Sequence, residues 1–176
     1  GACREALRAQ FDQVQLGDDL VFIPAYSSFV LLALASLRRR TSRPGLARLA
    51  MGLLVVGAVG DYLENLCIFG VTHAPLDSLS TGLQWLQPAT SLKWLALAAS
   101  NLFAMGALLG RAPRPGALAR ALCSLAGLVG LGGTLAALAM PGTFGRFIAT
   151  AIFLGWLALV VEAGWVAAGR QDVQGG

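Results

Sequence analysis

Hydrophobic residues along the chain fall into five long runs, separated by short stretches that carry proline, glycine and arginine. Each run is close to the ~20 apolar residues that an α-helix needs to cross a bilayer. Pairs such as Pro44-Gly45 and Pro141-Gly142 mark the joints between runs. The pattern predicts an all-α fold, an integral membrane bundle of five transmembrane helices. These are spans A to E, at about residues 20–37, 46–71, 89–109, 117–140 and 144–168.

Composition supports a membrane protein. The 176 residues are 56% hydrophobic and only 12% charged, whereas soluble domains carry about 25% charged residues. The formal net charge of +4 does not indicate nucleic-acid binding, because the basic residues lie in short loops between apolar runs.

The positive charges predict an orientation. Nine of the 13 Lys and Arg residues fall on one side of the predicted bundle, in the A–B loop, the C–D loop and the tail: Arg38, Arg39, Arg40, Arg43, Arg48, Arg111, Arg114, Arg120 and Arg170. Cytoplasmic loops carry such an excess in membrane proteins. The N-terminus and the B–C loop are therefore predicted outside, and the C-terminus with its tail 171–176 in the cytoplasm.

The segment before span A is predicted to be separate from the transmembrane domain, which covers residues 18–170. In residues 1–17, Leu7, Phe11 and Val14 recur at helical spacing, which is typical of an amphipathic helix on the outer surface. An outside N-terminus with five spans suggests that a cleaved signal or a sixth span precedes Gly1. Alternatively, Gly1-Ala2-Cys3 resembles the end of a lipoprotein signal, with Cys3 lipidated.

The B–C loop also contains a helical pattern. Leucines repeat every three or four residues there, at positions 76, 79, 83 and 86, beside Trp85. The spacing predicts a second interfacial helix that ends before Pro88, where span C begins.

The polar residues of span B are the strongest functional signal. Asp61, Glu64 and Asn65 lie three and four residues apart, so they share one helical face. An ionisable group in hydrocarbon costs roughly 2.5–3.5 kcal/mol on insertion scales and usually marks a pair, a pathway or a site. Asp61 and Glu64 are therefore candidate catalytic residues.

Spans A and C bring further polar residues to a similar depth on the outer side, as judged from the helix rise. Lys93 lies near the start of span C, and Asp19 and Tyr26 lie near the start of span A. Together with Asn65 they are predicted to bind a ligand or to form ion pairs. The serines of span C and Asn101 are expected on the same side.

Two interpretations of this cluster stay open. In the first, Lys93 pairs with Glu64 or Asp61 and the cluster only holds the helices together. In the second, the carboxylates face a small outward cavity, where they bind a cation, relay protons or act as acid and base on a lipid-soluble substrate, with Lys93 or Asn65 stabilising charge.

Other signals are weaker. Glu162 in span E is expected to pair with Arg120 or Arg170. No His/Cys set for zinc or haem, nucleotide fingerprint or phosphate loop is present, so neither a metal nor another cofactor is predicted. Cys3 and Cys67 are candidates for a disulfide. Small residues in span D predict close packing against span E or a partner.

The combination of Asp19, Phe22-Ile23-Pro24-Ala25-Tyr26, Asp61-Tyr62-Leu63-Glu64-Asn65 and Lys93 resembles small uncharacterised bacterial multi-pass membrane proteins. The resemblance covers residues 15–110 and implies the bacterial cytoplasmic membrane, but no activity. A fainter similarity, carried by the acid and proline of span A, is to the sterol-isomerase and sigma-2 receptor type of fold. That similarity implies acids around a lipid-accessible cavity.

Three functions are consistent with these features. The first is a non-catalytic accessory or assembly subunit, or a small-ligand binder, that contacts lipids and either a larger complex or another copy through spans D and E. The second is an enzyme that acts on a lipid or isoprenoid-like substrate with Asp61 and Glu64. The third is a transporter or proton-coupled carrier, which the absence of a repeat disfavours.

Overall fold

The computed structural model describes residues 2–74, 79–110, 118, 121–122, 124–130, 132 and 145–174. Within these ranges every regular element is helical, which confirms the predicted all-α class. Besides a helical stretch at 124–130, the helices are α1 (Ala2–Gly17), a π-helical turn (Asp18–Phe22), α2 (Ile23–Arg38), α3 (Pro44–His73), α4 (Leu79–Leu109) and α5 (Gly145–Gln174).

In the part of the chain that the structure describes, three helical stretches are long and apolar enough to cross a membrane, and they contain predicted spans A, B and C: Arg8–Arg38, Pro44–His73 and Leu83–Leu109. The predicted span E lies in α5 from Gly145 onward, and the apolar part of this helix is the shorter stretch Ile148–Gly164. Most of the predicted span D lies outside the described residues.

The N-terminal segment is helical, but it is not separated from span A. The stretch Arg8–Arg38 contains 31 residues, which corresponds to ~46 Å of helix and exceeds the ~30 Å thickness of the hydrocarbon core. Between α1 and α2 the chain forms a π-helical turn, Asp18–Phe22, rather than a break. The position of this segment relative to a membrane stays a prediction.

Proline explains where the π-helical turn lies. The Ile23 N–H donates to the carbonyl of Asp18, a bond five residues long. In the same register the next carbonyl, that of Asp19, faces Pro24, which has no N–H to donate. The hydroxyl of Tyr62 on α3 donates to the Asp19 carbonyl instead, at 2.8 Å. A neighbouring helix thus supplies the hydrogen bond that the Asp19 carbonyl would otherwise lack.

Helix α4 continues without a break through Pro88. The interfacial helix predicted before this proline is therefore the first part of α4. Proline removes only its own N–H from the helical ladder, and the long helix on either side retains its remaining bonds.

Helices α3 and α4 pack closely through glycine. A Cβ atom built on Gly60 would lie 2.9 Å from the Lys93 Cα and backbone N atoms, which is too close for any side chain. One turn away, a Cβ on Gly57 would meet the Leu97 side chain at 2.6 Å. Small residues allow the backbones of membrane helices to approach in this way. Lys93 is therefore held against α3 along its backbone.

The two ends of the bundle differ in charge. One end, called here the arginine end, carries Arg38, Arg39, Arg40, Arg43 and Arg48, and the opposite aspartate end carries Asp12, Asp18 and Asp19. At the arginine end, the loop between α2 and α3 covers the last turn of α4. Thr41 Oγ1 donates to the Ala107 carbonyl at 2.5 Å, and the Ser42 N–H donates to the Gly110 carbonyl at 3.1 Å. These bonds satisfy helix-terminal carbonyls that would otherwise lack partners.

Candidate functional site

The site is centred on one lysine between two carboxylates. The Lys93 ammonium contacts Oδ1 of Asp61 and lies 2.8 Å from Oε2 of Glu64. The Asp61 side chain is only 4% exposed, and those of Lys93 and Glu64 are each 15% exposed. Both carboxylates face α4 because they are three residues apart on α3. Lys93 bridges the two acids rather than choosing one.

Two hydroxyl groups complete the carboxylates' partners. Tyr26 donates to Oδ2 of Asp61 at 2.9 Å, and Thr90 donates to Oε1 of Glu64 at 2.5 Å. Every carboxylate oxygen of the pair therefore has one partner. Thr90 was not among the predicted site residues, although this residue lies three positions before Lys93 and thus on the same face of α4. Taken at formal charges, the two acids and the lysine carry one excess negative charge.

Asn65 and Asp19 belong to an adjoining network rather than to the lysine pair. The Asn65 side-chain amide donates to Oδ2 of Asp18 at 2.8 Å and to Oδ1 of Asp19 at 2.7 Å. Gln15 of α1 donates to the Asn65 carbonyl at 2.7 Å. Asn65 directly follows Glu64 on α3, so this turn of the helix connects the ion-paired cluster to the aspartate end.

A cavity of about 450 Å³ lies between α2, α4 and α5, with Asp61 and Lys93 in its wall. Apart from these two, the lining is almost entirely apolar or aromatic. The cavity is not enclosed, since its lining residues Phe22 and Phe153 are 54% and 63% exposed. Its volume falls in the range typical of small-molecule sites.

Aromatic rings make up much of the cavity wall. Tyr26 stacks on Trp156 of α5, with ring centroids 4.7 Å apart and an interplanar angle of 17°. Phe22 packs against Tyr26 at 5.3 Å, and the Lys93 ammonium lies 4.9 Å from the Trp94 ring centroid. The contribution of α5 was not predicted, because nothing in a local pattern shows which distant helix will cover a site.

Several polar residues lie away from the cluster. Ser100 donates to the Ala50 carbonyl at 2.8 Å, and buried Asn101 packs where a Cβ on Gly155 would be. Both lie about two turns further along α4 than Lys93, so their contacts are separate from the cluster. Glu162 lines a small cavity with Arg40, whereas Arg120 and the side chain of Arg170 lie outside the described residues.

The remaining sequence predictions concern metals, disulfides and packing. Among the described residues, no group of three or more His, Cys, Asp or Glu side chains is arranged to hold a metal ion. Cys67 is a free cysteine, so the predicted disulfide between Cys3 and Cys67 is not formed in this structure. The small residue Gly127 of span D packs against the α4 backbone, where its Cβ would lie 3.2 Å from Leu102.

Comparison with protein families, curated proteins and solved structures adds no relative. No family model, curated protein or solved structure matches this chain. Function is therefore inferred from the chemistry of the site.

Proposed function

We propose that this chain is an integral membrane protein that binds a small amphiphilic ligand, which it takes from the bilayer into the cavity beside Asp61 and Lys93. The observation that carries the proposal is the juxtaposition of an open, apolar cavity with a buried ion pair in its wall. Such sites combine apolar lining for affinity with a few polar groups for orientation. The polar end of the ligand would meet the ion pair, and its apolar body would lie among the aromatic rings.

The depth of the site supports access from lipid. Asp61 lies 17 residues after Pro44 on α3, and Lys93 lies 16 residues before Leu109 on α4. Both are therefore ~25 Å from the arginine end, within the ~30 Å core but near its far boundary. With the arginine end in the cytoplasm, as the positive charges predict, the cavity opens in the outer leaflet of a bundle of five spans.

Tryptophan fluorescence tests this proposal directly. Trp94 and Trp156 line the cavity, and Trp85 lines a separate apolar groove between α3 and α4. A variant that keeps only Trp94 and Trp156 is purified in dodecyl maltoside and titrated with a single-chain alcohol that carries bromine on its alkyl chain. Saturable quenching is expected, because bromine quenches indoles only at short range.

A matched variant gives the control. In a chain that keeps only Trp85, the same brominated alcohol should quench weakly and without saturation, because Trp85 then reports only unspecific contact with the alcohol. Equal and non-saturable quenching in both variants would contradict a binding site at the cavity. Extraction and mass spectrometry of lipid that co-purifies with the wild-type protein would identify the natural ligand.

An enzyme that acts on a lipid or isoprenoid-like substrate is the second candidate. It is favoured by one observation, that a carboxylate and an ammonium both line the cavity, within reach of the same bound molecule. Asp61 would then act as the acid or base, and Glu64, which lies behind it on Lys93, would tune the charge. Chemical change of the extracted lipid on incubation with wild-type protein, but not with Asp61→Asn, would support catalysis.

Participation in a larger complex or a homo-oligomer stays a prediction, as does a role as an accessory subunit. Many large apolar residues are exposed, including Leu32, Leu66 and Val160, which lipid or a neighbouring protein would cover. Crosslinking in native membranes would separate these cases. No feature of the site specifically supports the hypothesis of a transporter or proton-coupled carrier.

A further inference from the structure

We infer that the ligand of this cavity is a monocationic amphiphile, an apolar body that carries a single ammonium group. The inference rests on the proposed function and names the chemical class that the same site would select. Three properties of the cavity support it, namely its excess charge, the unused acceptor capacity of Asp61 and the aromatic faces around it.

The excess charge comes first. Lys93 neutralises only one of the two acids that contact it. Two more carboxylates, those of Asp18 and Asp19, lie in the adjoining π-helical turn. Both accept hydrogen bonds from the neutral side-chain amide of Asn65. No salt bridge to Asp18 or Asp19 occurs among the described residues. Among the side chains that the structure describes, no further cation neutralises this charge, and an unneutralised charge is costly in a medium of low dielectric constant.

The other Lys and Arg side chains that the structure describes are distant along the helices, and the side chain of Arg146 on α5 lies outside the description. The arginines of the arginine end are about 25 Å away by helix rise, and Arg8 of α1 precedes Asp18 by ten residues, or ~15 Å. Coulomb attraction falls with distance, so these arginines stabilise the excess charge less than a cation in direct contact would. A cation bound in the cavity would stand much closer to the excess negative charge than any of them.

Asp61 has capacity for such a cation. Each of its oxygens has one partner, Lys93 on Oδ1 and Tyr26 on Oδ2, whereas a carboxylate oxygen accepts up to two hydrogen bonds. Oδ1 is fully buried, so an ammonium in the cavity would donate to Oδ2, beside the Tyr26 hydroxyl, and leave the Lys93 contact in place. Lys93 would repel it, but Glu64 lies directly behind and offsets that repulsion.

The aromatic wall favours the same charge. Phe22, Tyr26, Trp94, Phe153 and Trp156 all line the cavity. The face of an aromatic ring attracts a cation by about 0.5–2 kcal/mol, with the larger values at desolvated sites. A neutral or anionic head group gains nothing comparable from these faces.

A series of ligands with one tail and three head groups tests the inference. Dodecylammonium, dodecanol and dodecanoate compete at pH 7 against the brominated alcohol of the quenching assay, in the variant that keeps Trp94 and Trp156. Dodecylammonium should bind at least about tenfold more tightly than dodecanol, which corresponds to ~1.4 kcal/mol. Dodecanoate should bind most weakly.

Two variants, each lacking one carboxylate, test whether the preference for the ammonium head group depends on the charge beside the cavity. Glu64→Gln removes one negative charge from the cluster, so it should weaken the binding of dodecylammonium more than that of dodecanol and thereby reduce the preference for ammonium. Glu162→Gln, which changes a buried acid lining a different cavity, should keep the preference. If Glu64→Gln does not fold, the relative affinities of the three ligands for the variant that keeps Trp94 and Trp156 still test the inference.

The outcomes separate this inference from the proposed function. Equal affinity of all three head groups would overturn the inference and leave the binding site intact. Tighter binding of dodecanoate than of dodecylammonium would also overturn it. A brominated alcohol that does not quench saturably would remove the proposed function itself.

Discussion

Replacing Lys93 by methionine tests the central feature of the site. Methionine keeps most of the side-chain length and apolar stem but removes the ammonium that contacts Asp61 and Glu64. Removal of one partner from a buried ion pair costs about 3–5 kcal/mol, because the remaining charge is left unpaired in a medium of low dielectric constant. Since two carboxylates lose their partner here, we expect Lys93→Met to cost at least the lower value, ~3 kcal/mol.

A rescue variant distinguishes the charge from simple packing. When Asp61→Asn and Glu64→Gln are added to Lys93→Met, no unpaired charge is left, and buried ionic groups are often replaced by neutral ones without loss. The triple variant should therefore be more stable than Lys93→Met alone. Thr90→Val gives a reference for one lost hydrogen bond, since it removes only the bond to Glu64 and should cost ~1 kcal/mol.

The free energy of unfolding of these variants can be measured in mixed micelles of dodecyl maltoside and sodium dodecyl sulfate, with helical content followed by circular dichroism. A loss below ~1 kcal/mol for Lys93→Met would refute a buried, doubly paired lysine. A triple variant as unstable as the single variant would refute the electrostatic explanation and assign the loss to packing at the α3–α4 contact.

Further predictions concern neighbouring contacts. Gly60→Ala should cost ~1–3 kcal/mol, because the new Cβ would press on backbone atoms of α4, whereas Gly52→Ala, with nothing within 4 Å, should be neutral or slightly stabilising in the same unfolding assay. Tyr26→Phe should cost ~1–2 kcal/mol for the lost bond to a carboxylate and more than Tyr62→Phe, whose bond is exposed. Asn65→Leu should accelerate hydrogen exchange in α1, because it removes the amide that joins α3 to the π-helical turn. Unchanged exchange would show that other contacts hold α1.

The sequence was sufficient to bring Asp61, Glu64 and Lys93 together, for two physical reasons. Helical spacing places the acids on one face, and an unpaired charge in an apolar helix requires a partner. Consecutive spans run antiparallel, so span C descends from the side where span B ends and leaves Lys93 as the candidate of opposite charge at matching depth. The sequence did not indicate which acid Lys93 would contact, and the structure shows that Lys93 contacts both.

Features that depend on three-dimensional contacts could not be predicted in this way. The stacking of Trp156 on Tyr26 and the cavity between α2 and α5 require the position of a helix more than a hundred residues away. The π-helical turn that connects α1 to α2 was not predicted, because its hydrogen bonds come from Tyr62 and Asn65 of α3 rather than from local sequence. Glu162 was expected to pair with Arg120 or Arg170, which stays a prediction, and the structure places it in the wall of a small cavity with Arg40, which local spacing could not indicate.

The contact between α3 and α4 also bears on how the chain enters a membrane. Three of the groups that are most costly to bury, Asp61, Glu64 and Lys93, belong to consecutive helices that meet through glycine. Inserted one at a time, α3 would expose two acids and α4 one base to lipid, each at a cost of roughly 2.5–3.5 kcal/mol. Inserted together as a hairpin, the two helices neutralise most of that charge before either faces hydrocarbon. The ion pairs between α3 and α4 therefore favour insertion of the two helices together.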